Sequence, residues 1–100
     1  MIYEPLKMSG NKTTSAVIAS RPSVLGAIDI SPPDTGITIL KIYDNPSSAS
    51  GSIVARIDIA AGTDSVNNIG YLRQSFTGLY AELSGTYTGT INYNIGYLTQ

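Results

Sequence analysis

Acid–base chemistry in this chain rests on seven carboxylates: Glu4, Asp29, Asp34, Asp44, Asp58, Asp64 and Glu82. Histidine and cysteine are absent. A glycoside hydrolase needs two carboxyl groups roughly 5 to 10 Å apart across a cleft. Asp29 and Asp58 qualify as candidates, because each sits outward on neighbouring strand candidates, in Ala-Ile-Asp-Ile and Arg-Ile-Asp-Ile. Both also alternate with apolar residues as an ordinary solvated strand face does. With 100 residues there is little chain left to wall a sugar cleft, so the reading is non-enzymatic. Asp34, Asp44 and Asp64 fall in turns, where carboxylates and backbone carbonyls can build a calcium shell. No D-x-D-x-D-G loop is present, and Asx hydrogen bonding accounts for Asp in turns. A nucleophilic serine needs a base, and only Lys7, Lys12 or Lys41 could serve. Gly10, Gly62 and Gly78 stand alone and make no phosphate cradle. No cofactor and no metal are expected.

The aromatic residues carry the other signal. Seven Tyr stand against one Phe and no Trp. Tyr brings a large apolar area with a polar tip, which suits interfaces. Tyr80 is an outward candidate, and Tyr71 and Tyr87 lie in or beside connections. Tyr93 and Tyr97 read as core-edge residues with wet hydroxyls. Stacking on sugars is the rival use. Residues 1–12 read as an extended N-terminal arm, since Pro5 stops a helix and Gly10-Asn11 is a turn. The arm places Ile2, Tyr3, Leu6 and Met8 outside any strand pattern. A frayed tail or a strand returning to its own sheet would also explain it. The candidate interface set is therefore Ile2, Tyr3, Leu6, Met8, Tyr71, Tyr80 and Tyr87.

Composition narrows the classes. Charged residues are 13% of the chain, about half the usual share, and Ser, Thr, Asn and Gly fill the outward positions. The net charge is −1 and the six basic residues are scattered, so no nucleic-acid footprint is expected. Without cysteine there is no disulfide framework, and stability must come from packing. No apolar run approaches the length of a membrane span. The first ten residues lack a basic start and an apolar stretch, so synthesis in the cytosol is expected.

The elements that must position these residues are strands. The chain repeats an apolar, β-branched run closed by a Pro, Gly, Asn or Asp turn. Strands are predicted over 13–20, 23–31, 37–43, 51–60, within 65–74, over 79–84 and over 90–98. In the second, Val24, Gly26, Ile28 and Ile30 share one face, with a bulge allowed at Gly26. The strand Ile37 to Tyr43 is apolar on both faces, which predicts a central place or a partner's cover. In the strand from Gly51, Ile53, Ala55, Ile57 and Ile59 point inward, and Val54, Arg56 and Asp58 outward. Leu79, Ala81 and Leu83 face in, and Tyr80 and Glu82 out. Gly85 to Gly89 reads as a hairpin-like connection. The whole predicts an all-β, antiparallel, jelly-roll-like sandwich of about eight strands over residues 13–100.

The runs Val24 to Ile30, Ser31 to Gly36, Ile37 to Tyr43, Asp44 to Ser52, Ile53 to Thr63, Gly78 to Thr86 and Thr90 to Tyr97 together resemble the small β-sandwich decoration (cement) or head-fibre proteins of tailed bacteriophages. The resemblance spans roughly Ala16 to Leu98. It implies a structural virion protein on the outer capsid, bound to the major capsid protein, stabilising capsomer contacts, and commonly a homotrimer. It implies neither a nucleic-acid nor a membrane partner. The pattern has no invariant site motif, so no functional residue carries over. The alternative is a carbohydrate-binding or host-attachment module of a phage fibre. Exposed Tyr and Asn on a concave face would mark that alternative.

Overall fold

The computed structural model describes residues 7–99, without the side chains of residues 67–72. Eight strands follow one another: β1 (Lys7–Met8), β2 (Ala16–Ala19), β3 (Ser23–Ile30), β4 (Thr35–Asp44), β5 (Ile53–Ala60), β6 (Val66–Ser75), β7 (Leu79–Thr88) and β8 (Tyr93–Thr99). They form two four-stranded antiparallel sheets, ordered β1-β8-β3-β6 and β2-β7-β4-β5. First pairs with last, second with seventh, third with sixth and fourth with fifth. This is the jelly roll, a long hairpin rolled so that its halves face each other. The expected fold class is the observed one.

The core lies between the sheets. Leu25, Ile28, Ile30, Ile91, Tyr93 and Ile95 meet Ile18, Leu40, Ile42, Ile57, Ile59 and Leu79 there. Side chains alternate across a pleated strand, so one face of each strand supplies the core. Besides a register shift between Val17 and Ala19 of β2 against β7, two irregularities break that alternation. The β3 register shifts between Leu25 and Ala27 against both neighbours. A bulge inserts one residue and reverses the phase. Leu25 is therefore buried together with Ile28 and Ile30, although simple alternation assigns it to the opposite face. The second shift falls between Ile42 and Tyr43 against β5. It turns Ile53 outward, 49% exposed, while Val54 packs on the core, the reverse of the expected order.

Two further boundaries differ from the sequence reading. β7 continues through Gly85 to Thr88, paired without a break to β4. Gly85 has φ +108°, and a Cβ there would meet the Ile37 carbonyl oxygen, so glycine lets the strand pass a point that other residues would break. The expected arm is described from Lys7 onward. There Lys7 and Met8 pair with Tyr97 and Gly96 of β8, and Lys12 bridges Tyr93. This part of the arm is laid along the chain's own first sheet. Ile2, Tyr3 and Leu6 lie outside the described residues.

Candidate interaction surface

The carboxylate chemistry is dispersed by the fold. Asp29 is exposed on β3 of one sheet and Asp58 on β5 of the other, so the candidate pair is not brought together. Asp58 instead accepts two hydrogen bonds from Arg56, at 2.9 and 3.2 Å. Those bonds, with partial desolvation opposing and the charges of Arg56 and Lys41 adding, hold its carboxyl below the ordinary range. Asp34 precedes the ten-residue β4 and Asp44 ends it, so these two turn carboxylates do not converge. Among the described residues no three His, Cys, Asp or Glu side chains are grouped to hold a metal.

Asp44 has a different role. Its Oδ1 accepts from Ser75 Oγ (2.8 Å), Thr77 Oγ1 (2.8 Å), Thr77 N (2.9 Å) and Phe76 N (3.1 Å). Ser75 Oγ in turn accepts the Gly78 N–H at 3.0 Å. Burial pushes the Asp44 carboxyl up, but these hydrogen bonds outweigh it and lower it to about 2. Hydrogen bonds to the charged form are what depress a carboxylate in this way. The result is a pinned β6–β7 turn. Gly78 completes it, since a Cβ there would press on Ala19 O and on Pro46 at 2.6 Å.

What this turn presents is Phe76, 70% exposed. A single exposed apolar ring is ordinary on a protein surface, and it gains meaning only from the apolar neighbours that make a patch with it. Phe76 lines a groove of about 270 Å³ with Ile53, Val54, Ser52, Asp44, Arg73 and Gln74. Ile53 continues the surface. Register places Val17 opposite Tyr80, Tyr80 opposite Tyr43, and Tyr43 opposite Ile53. The four residues make one row across the outer face of the β2-β7-β4-β5 sheet. Val17 is 44% exposed and the two Tyr are half-buried. The Tyr43 hydroxyl donates to Glu82 Oε1 at 3.3 Å, and desolvation together with the Glu82 charge raises its pKa. An apolar and aromatic stripe with polar tips thus runs from β2 to the Phe76 turn.

The interface residues expected from sequence fall as follows. Tyr80 is in this row. Met8 is 54% exposed on β1, opposite Gly96 and away from the row. Tyr87 lies in β7 and packs against the core. The Tyr71 side chain lies outside the described residues. Val17, Tyr43, Ile53 and Phe76 were not singled out by sequence. Only Phe76 carried a signal, as the single Phe placed between Ser75 and Thr77-Gly78.

A second hollow, of about 230 Å³, is lined by Asn11, Asp29, Ser31, Ser65, Asn92, Tyr93 and Asn94. Asn11 Nδ2 donates to Asn92 Oδ1 at 2.9 Å. Its aromatic residue, Tyr93, is 1% exposed and its hydroxyl donates to Thr14 O at 2.5 Å. It offers amides and a carboxylate without an exposed ring on which a sugar could stack. The chain matches no family model, no curated protein and no solved structure.

Proposed function

We infer that this protein is a structural binding module without catalytic chemistry, and that it docks on a protein surface through the Val17–Tyr80–Tyr43–Ile53 row and Phe76. The observation that carries the reading is Phe76, exposed on a turn pinned by four hydrogen bonds to one Asp44 oxygen. Binding energy concentrates in a few aromatic anchors, and an anchor already fixed in place loses little entropy on docking. Jelly rolls recur in viral capsid and lectin domains, an analogy of fold alone. Joined to the resemblance of residues Ala16 to Leu98, it supports the specific reading of a tailed-phage decoration protein. That protein sits on the outer capsid, bridges major capsid protein subunits and stabilises capsomer contacts.

The carbohydrate-binding alternative has the Asn-lined hollow in its favour and the buried Tyr93 against it. Purified virions decide between them. The chain is expected on the capsid exterior by mass spectrometry and density maps, with occupancy reduced at least about tenfold by Phe76→Ser. Full occupancy of that variant overturns the assigned surface. Glycan binding abolished by Asn92→Ala, with no chain on capsids, overturns the function.

A further inference from the structure

β5 ends its sheet, with β4 on one side and, among the described residues, no strand on the other. A free edge is a template for another strand, and it is usually shortened, bulged, interrupted by proline or guarded by charged side chains, which here are the opposite charges Arg56 and Asp58. From Ala55 to Ala60 this edge is regular and proline-free.

The direction of its unpaired groups follows from the ladder. Ala61 N donates to Gly36 O at 2.9 Å, which makes Ala61 and Gly36 a hydrogen-bonded pair. Antiparallel pairs alternate between hydrogen-bonded and non-hydrogen-bonded. Ile59, Ile57 and Ala55 therefore spend their backbone groups on β4. Those of Asp58 and Arg56 point to the open edge.

The sequence there reads Ala55-Arg56-Ile57-Asp58-Ile59, and it is self-complementary about Ile57. We propose that two copies of this chain pair edge to edge through β5, antiparallel, on a two-fold axis at Ile57. In that register Arg56 of each copy lies opposite Asp58 of the other, and both exchanges use the edge-facing backbone groups. The four charges of the two ion pairs alternate in sign around a square, so the internal Arg56–Asp58 contact at 2.9 Å is retained. On the inner face Ala55 meets Ile59 and Ile57 meets its own copy, which extends the apolar core. A two-fold contact uses the same surface on both partners and closes at two. It differs in this from the three-membered ring that the family resemblance implies. The pairing uses Ala55 to Ile59 of β5, and the Phe76 surface reaches that strand at Ile53 and Val54.

Sedimentation of the intact chain up to millimolar concentration tests the pairing, with a reversible dimer expected. Arg56→Asp sets a second carboxylate opposite Asp58 at both crossings, and should weaken the dimer by about tenfold or more. Adding Asp58→Arg restores opposite charges in the same register and should restore the dimer. Arg56 and Asp58 are half exposed, so the single variant is expected to stay folded, which its melting curve checks. The chain lacks cysteine, so register can be read directly. Mixed Arg56→Cys and Asp58→Cys chains should form a disulfide on oxidation, while neither alone does. A strictly monomeric or trimeric wild type overturns the proposal. So does a dimer indifferent to Arg56→Asp, or self-crosslinking by Arg56→Cys alone.

Discussion

Asp44→Asn isolates the charge that holds the Phe76 turn. The amide keeps one acceptor oxygen in nearly the same shape, removes the negative charge and puts an NH2 donor in place of the second oxygen. In the native chain the carboxyl falls from 3.8 to about 2. At about 1.4 kcal/mol per pKa unit the ceiling on its stabilisation is about 2.5 kcal/mol. The group sits at a solvated rim, so screening brings the expected loss at neutral pH to about 1–2 kcal/mol. The folded-state pKa is depressed, so the contribution is complete above the unfolded value and fades as pH falls from 3.8 through about 2. Urea melts of wild type and variant should therefore differ at neutral pH and converge towards pH 2. Near neutrality the thermal midpoint should drop by roughly 5–10 °C. Equal stability at neutral pH, or a difference that persists unchanged into acid, would refute the assignment of the charge to this turn. A second readout follows from geometry. The loosened turn should weaken partner binding even though Phe76 itself is intact, because its backbone is no longer held in place.

Two further substitutions test the interior. Thr38 is fully buried and its Oγ1 has no hydrogen-bond partner among the described residues. Thr38→Val removes an unpaired hydroxyl at nearly constant shape, and chemical denaturation should show a gain of about 1 kcal/mol. The Tyr93 hydroxyl, bonded to Thr14 O, is pushed up to about 12 by burial and by the nearby Tyr80. A raised phenol pKa stabilises the fold below its unfolded value of 10.0 and loses that stabilisation as pH rises through about 12. Tyr93→Phe should cost about 1 kcal/mol at neutral pH, and the cost should shrink in alkaline melts.

The architecture was legible because it follows from local rules. β-branched runs closed by Pro, Gly, Asn or Asp turns define strands, and their number and spacing define a sandwich. The central place of β4 was legible from apolar residues on both its faces. The bulge at Gly26 was marked by glycine. Its effect on Leu25, and the outward turn of Ile53, were not legible. A one-residue shift depends on how two strands meet across space, and alternation along one strand carries no information about its neighbour. Asp29 and Asp58 qualified as a candidate pair from their outward places on neighbouring strand candidates, yet the roll sends β3 and β5 to different sheets. The apolar row on the outer face of the second sheet has the same origin. Val17, Tyr80, Tyr43 and Ile53 are distant in the chain, and only antiparallel register aligns them. Asp44 read as a turn residue, which it is. That its carboxylate reaches the turn before β7 and fixes Phe76 in water is decided by tertiary structure alone, since the four donors come from a segment more than thirty residues away.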